Sequence, residues 1–361
     1  ETQWSRLAAR YLRKEFALTK EVKRATVHIA GMGLYELFIN GQRIGEQVLA
    51  PAPTDYRKTI LYNTYDVTPQ LQKENAISVI LGNGRFYTMR QNYKPYKIPT
   101  FGYPKLRLNL IIEYTDGSRQ TIASDISWKL TTEGPIRSNN EYDGEEYDAR
   151  KELGDWNRTG YDDTNWIPAG RVSIPSGTLR AQMMPGMKVT ESLKPVSIRK
   201  QGDKQILDIG QTMAGWLRIR IKGQAGDSIR LRFAERLQAD GEIFTKNLRD
   251  AHCTDIYVVS GREPQDATWA PRFVYHGFRY VEISGYPNAK TEDFTAEVVD
   301  DEMAHTGTFT CSDETLNQVL RNAFWGIRSN YKGMPVDCPQ RNERQPWLGD
   351  HAMGSWGESL F

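Results

Sequence analysis

Near Met303 the hydrophobic pattern of this 361-residue chain changes period, and that change limits the folds open to it more than any other feature. Upstream, short β-rich runs are punctuated by Gly, Asn and Asp. From Arg24 to Ile39 the segments Ala-Thr-Val-His-Ile-Ala, Gly31-Met-Gly33 and Leu34-Tyr-Glu-Leu-Phe-Ile39 read as strand, turn, strand, and Asn40-Gly41 marks a hairpin turn. The pattern recurs at 58–67, 76–81, 105–114 and 120–122, which predicts an all-β sandwich. Gly31-x-Gly33 and Gly82-x-Gly84 read as turns, since neither opens a helix in a βαβ unit as a phosphate cradle does.

Turn chemistry at Ser173-Ile-Pro175 and Pro185-Gly186 marks a boundary, after which strands are expected at 205–209, 215–222, 228–235, 256–260 and 279–284. Alternation in Trp216-Leu-Arg-Ile-Arg-Ile221 and Ile229-Arg-Leu-Arg-Phe233 puts arginines on one face, the wet side of a sheet. Beyond Met303, Ser312 is the expected N-cap. Leu316, Val319, Leu320, Ala323, Phe324 and Ile327 then recur at helical spacing, predicting a helix over 313–331 that ends near Gly333, with a second helix starting at Asp350. The expected organisation is a lead-in over 1–24, a β-sandwich over 25–175, a second β-sandwich over 186–300 and a helical region over 304–361. The chain's length agrees with two or three domains.

Composition removes several function classes. Net charge is +2 with 25% charged residues, and no basic run is interleaved with aromatics, so no nucleic-acid partner is expected. No apolar run reaches the roughly 18 residues of a bilayer span. Glu1-Thr-Gln-Trp4 lacks the basic-then-apolar pattern of an export signal. Cys253, Cys311 and Cys338 are odd in number, and neither CxxC nor HExxH spacing occurs, so no metal site is read from these motifs. Cys338 has no neighbouring His to activate it and reads as a buried structural thiol. Acidic Glu141-Tyr-Asp-Gly-Glu-Glu-Tyr-Asp148 is oxygen-rich enough for calcium but fits no EF-hand spacing, so a solvated loop is the preferred reading. Trp156, Tyr161 and Trp166 are expected to close the first sandwich, and His276 to be a hydrogen-bonded structural imidazole.

The chemistry concentrates in Asp337-Cys-Pro-Gln-Arg-Asn-Glu-Arg-Gln-Pro-Trp-Leu-Gly-Asp350. Prolines at 339 and 346 keep a regular helix from running through it. Asp337, Glu343 and Asp350 should therefore sit on a convergent loop. Crowded carboxylates raise one another's pKa, as a general acid needs, whereas Arg341 and Arg344 act in the opposite sense. The balance depends on distances. One arrangement ties an arginine to Asp337 or to a bound substrate and leaves Glu343 partly desolvated against Trp347.

At these residues the sequence resembles the bacterial α-L-rhamnosidases, glycoside hydrolase family 78, whose signature is Asp-x-x-x-Arg-x-Glu-Arg followed by Trp and a Gly-Asp pair. The runs Gly33–Gly41, Gly82–Gly84, Asp208–Trp216 and Phe273–Tyr280 resemble the family's two upstream β domains. The resemblance implies a mainly β chain of two jelly-roll-like sandwiches followed by the first helices of an (α/α)6 barrel. Such a barrel needs about a dozen helices of ordinary length, so the expectation is that Phe361 is a cut and that this chain alone is inactive. The implied activity is release of terminal α-L-rhamnose, with Glu343 as proton donor, Asp337, Arg341 and Asp350 holding ring hydroxyls, and Trp347 packing on the sugar's apolar face. Inversion with a Glu base beyond Phe361 is implied, no cofactor is called for, and family habit points to the periplasm or secretion. Asp337 or Asp350 is the alternative second carboxyl group, but their proximity in sequence to Glu343 suggests that they share the acid's side. Asn342, where the family often has Asp, and Gln345-Pro346 depart from the pattern. Two other readings are a non-catalytic carbohydrate-binding pair of sandwiches and a different (α/α)6 enzyme such as a lyase. Oligomeric state is not legible.

Overall fold

A computed structural model describes residues 7–88 and 101–359; the segment Glu1–Trp4 and Phe361 lie outside the described residues. Its described residues form two compact units, one drawn from residues up to Met184 other than 141–149, the other from 141–149 and from Pro185 onward.

The first unit is two stacked sheets. One has the strand order Ile167–Pro168, Lys129–Thr131, Arg10–Ala17, Glu74–Gly82, Leu34–Ile39, Gln42–Arg43; the other runs Thr178–Ala181, Thr59–Asp66, Val22–Met32, Lys105–Tyr114, Arg119–Ala123. Period-two alternation sends Leu37, Ile77, Val79 and Leu81 from the first and Val27, Ile29, Leu108 and Leu110 from the second into one core. Each such buried side chain contributes about 1.5–3 kcal/mol relative to exposure. Asn40 and Gly41 both have positive φ, 51° and 82°, which matches the right-handed twist of the hairpin they close. Trp156 and Trp166 are buried and stacked at 6.1 Å, with Tyr161 edge-on to Trp166 at 5.9 Å, closing the sandwich as expected.

The lead-in assigned to 1–24 needs correction. Arg10–Ala17 is a strand paired along its whole length with Glu74–Gly82, and it gives Leu12 and Phe16 to the core. Its charges hid it, because Arg13 points inward with only 1% of its surface exposed. The Arg13 guanidinium meets the carboxylates of Glu15 and Asp163 and donates to the carbonyls of Trp156 at 2.8 Å and Arg158 at 2.9 Å. A buried charge is tolerated when it is paired in this way.

The second unit is built on the strand order Gly144–Asp148, Thr254–Val258, Ser228–Ala234, His276–Ser284, Lys204–Arg220, Phe294–Asp301, Met187–Leu193. Lys204–Arg220 replaces the two separate strands expected there; an irregularity between Asp208 and Met213 marks where its partners change. The solvated-loop reading of 141–148 is overturned. Gly144–Asp148 pairs in parallel with Thr254–Val258, and Glu145 is buried with its carboxylate taking the amides of Arg272 and Phe273 at 3.1 Å.

Burial pushes the Glu145 carboxyl up to about 8. Its native pKa lies above the unfolded value near 4.3, so the folded form keeps a proton that the unfolded form releases, and stability is lost as pH rises from about 4.3 to about 8. Urea unfolding of the second unit should therefore show a lower midpoint at pH 8 than at pH 5. Glu145→Gln should flatten that slope; an unchanged slope would contradict the assignment.

Two helices follow, α1 (Glu314–Ser329) and α2 (Leu348–Glu358). Asp313, not Ser312, caps α1, accepting from Thr315 and Leu316 amides, and Gly333 has φ 73° just past its end. Leu316 and Val319, on the expected apolar face of α1, are exposed, as are Met353 and Trp356 of α2. Among the described residues, no helix is long and apolar enough to cross a membrane.

Candidate active site

The acidic loop between α1 and α2 closes on itself before it presents any chemistry. Asp337 N–H donates to Gln345 O at 2.9 Å, and Gln345 N–H returns a bond to Asp337 Oδ1 at 2.7 Å. Beneath it runs the strand His276–Ser284. Gly277 permits the contact, since a Cβ there would stand 2.8 Å from Pro339 Cγ.

Glu343 is 4% exposed. Trp347 Nε1 donates to its Oε1 at 3.2 Å, Arg341 Nε to its Oε2 at 2.9 Å, and Arg249 Nη1 lies 3.0 Å from the same Oε2. Arg341 also reaches Asp337 Oδ2 at 3.4 Å, so one guanidinium bridges both carboxylates. The loop thus brings Asp337, Arg341, Glu343 and Trp347 together. Asp350 lies in α2, and its side chain falls outside the described residues.

Electrostatics decide the balance that spacing leaves open. Burial pushes the Glu343 carboxyl up, but Arg341 and Arg249 outweigh it and hold Glu343 below the usual carboxylate range. An arginine does reach Asp337, as that arrangement has it, but Glu343 is not thereby released: Arg341 serves both carboxylates, and a second arginine joins it.

Arg344 is not the second arginine. Its backbone takes φ 49°, and its fully buried guanidinium donates to Glu141 O at 2.7 Å and Tyr275 O at 3.1 Å, over the rings of Tyr142 and Tyr275. It anchors the loop, while Arg249 from the second β unit, unnoticed in the sequence, supplies the charge. Asn247-Leu-Arg249-Asp250 carries no motif that could have found it. Asn342 is buried at 1% exposure, and Gln345 Nε2 donates to Glu343 O at 2.9 Å.

Cys338 is buried and reduced, and burial pushes its thiol up to about 11, as a structural role requires. His276 is fully buried, bonded through Nε2 to Asp255 Oδ1 at 3.0 Å and stacked on Phe233 at 4.1 Å, which agrees with a structural imidazole. A cavity of about 230 Å³ between α1 and α2 is lined by Ile327, Asn330, Tyr331, Asp337, His351 and Glu358. It touches the loop through Asp337 but not through Glu343.

Two β units followed by two helices, with a carboxylate buried under an indole on the loop between those helices, define a mainly β multidomain protein. Residues 20–191 match the family model of the alpha-L-rhamnosidase N-terminal domain, 198–300 the bacterial alpha-L-rhamnosidase concanavalin-like domain and 304–361 the bacterial alpha-L-rhamnosidase 6 hairpin glycosidase domain. The chain belongs to the bacterial α-L-rhamnosidase family. It is 38% identical to an alpha-L-rhamnosidase of Formosa agariphila over 95% of its own length and 37% of the relative's. It superposes on the alpha-L-rhamnosidase of Dictyoglumus thermophilum with a TM-score of 0.91 at 41% identity, covering 98% of this chain and 39% of that one. For the Streptomyces avermitilis alpha-L-rhamnosidase complexed with L-rhamnose, the TM-score is 0.92 at 37% identity, with 97% and 34% covered. The chain thus spans less than half the length of these relatives.

Proposed function

We propose that the whole protein is a glycoside hydrolase releasing terminal α-L-rhamnose, with Glu343 as the general acid on the departing glycosidic oxygen. The observation that carries this is the seating of Glu343: buried, under the Trp347 indole, and on a loop that sets Arg341 between it and Asp337. Asp337, Arg341 and Asp350 orient the ring, and Trp347 covers its apolar face. Against its burial, Arg341 and Arg249 hold Glu343 below the usual carboxylate range, so it must gain a proton before it can act as an acid. A sugar that draws Arg341 onto its hydroxyls removes one of the charges opposing that gain.

Hydrolysis without a covalent intermediate needs a second carboxyl group across the ring to activate water. We place it outside residues 1–361, because Asp337 shares Arg341 with Glu343 and so lies on the acid's own side. The reading is inverting and calls on no cofactor. It predicts that the full-length protein hydrolyses an aryl α-L-rhamnoside and that proton NMR, recorded before mutarotation, shows β-L-rhamnose forming first. First-formed α-L-rhamnose would replace inversion with a covalent intermediate, and absence of hydrolysis would remove the activity.

A further inference from the structure

We propose that Arg249, on a turn of the second β unit, is a positioning residue that clamps the Glu343 carboxylate together with Arg341 and must let go before the acid can be loaded. The inference rests on the reading of Glu343 as the acid and adds a group from outside the loop. Arg249 closes the turn Lys246–Leu248 at φ 58°, ψ −120°, a backbone conformation that side-chain-bearing residues rarely adopt. Cys253, a few residues on, also has positive φ, 44°, and its thiol donates to Gln340 O at 3.1 Å. Two strained positions flank the segment that reaches the acidic loop, and such strain persists where surrounding structure over-determines it, often at functional sites. Leu248, 1% exposed, anchors the turn. The Arg249 side chain is 30% exposed against 6% for Glu343, so the arginine is the partner with room to withdraw.

The charged and titratable groups around the carboxyl come from every neighbouring element. Arg341, Asp337 and Cys338 lie on its own loop and Arg249 on the turn. Glu235, after the strand Ser228–Ala234, takes a bond from Asn247 at 3.1 Å and feels the charge of Arg341. Arg249 moves off Oε2 and the carboxylate takes a proton from solvent; that proton passes to the glycosidic oxygen as the C–O bond breaks, water bonds to the anomeric carbon and gives its proton to the second carboxyl group, which returns it to solvent, and the Glu343 carboxylate re-forms its pair with Arg249.

The test follows the Glu343 carboxyl by carbon-13 NMR in this chain, its signal assigned by its loss in Glu343→Gln. Arg249→Gln should raise the titration midpoint by about one unit, a tenfold gain in proton affinity, and Arg249→Lys should restore more than half of the difference. In the full-length protein the alkaline limb of kcat/KM should move up by the same amount, because a general acid is lost as pH rises through its pKa. An unmoved midpoint in Arg249→Gln overturns the clamp whatever the activity does. A midpoint that moves while the alkaline limb stays fixed leaves the clamp standing and sinks Glu343 as the acid. A readout free of folding effects comes from the unmutated protein: the Arg249 guanidinium resonance should shift with the Glu343 midpoint, and a resonance that ignores it also overturns the clamp.

Discussion

Glu343→Gln should cut kcat/KM of the full-length protein on an alkyl α-L-rhamnoside by roughly 10²–10⁴-fold, the range that general acid catalysis supplies. The size of the loss depends on the leaving group. An alkoxide is too basic to depart unassisted, so the missing proton appears in full; a dinitrophenolate departs without one, and the same variant should retain most of its rate on a dinitrophenyl rhamnoside. Gln keeps the side chain's volume but only one acceptor oxygen, so it can take either the Trp347 Nε1 bond or the Arg341 bond and turns an NH2 toward the other donor. Equal losses on both substrates would indicate a collapsed site and count against the acid role. Unchanged turnover of the alkyl substrate would end it.

Arg344→Ala should destabilise the second unit by about 3–5 kcal/mol, the scale for two stranded buried acceptors together with the cavity left behind. Arg344 has no exposed surface, and its loss strands the carbonyls of Glu141 and Tyr275 while emptying the space over Tyr142 and Tyr275. An unsatisfied buried acceptor costs about 1–3 kcal/mol, and a cavity adds to it. Arg344→Met separates the two contributions, since it keeps much of the volume and none of the donors. Urea unfolding monitored by tryptophan fluorescence checks both variants. A loss under about 1 kcal/mol for the Ala variant would mean that the guanidinium does not hold the loop. Because Glu343 is the next residue, the folded fraction should also lose activity.

Much of the architecture was legible because it is written locally. Asn40-Gly41 specifies its turn through two left-handed backbones, the alternation in 105–114 specifies a strand with one buried face, and the spacing of Leu316, Leu320, Phe324 and Ile327 specifies α1. The strand Arg10–Ala17 was missed because its inward arginine looks like a surface charge until Asp163 arrives from 150 residues away. Gly144–Asp148 was missed for a related reason. Its carboxylates read as solvated, yet Glu145 is satisfied by the amides of Arg272 and Phe273 on a distant segment.

The candidate site divides along the same line. The sequence alone determined which groups share the loop, because Asp337, Arg341, Glu343 and Trp347 lie within eleven positions of one another and two prolines forbid a helix between them. Tertiary structure decided which arginine faces the acid. Arg344, adjacent in sequence, is drawn away to a carbonyl 203 residues distant, while Arg249 arrives from a strained turn of another segment to hold Oε2 at 3.0 Å. The physical reason is that backbone preferences act between near neighbours and survive in the sequence pattern. The charge around a buried carboxyl is set by whichever side chains packing brings within a few ångströms, and no local pattern encodes that.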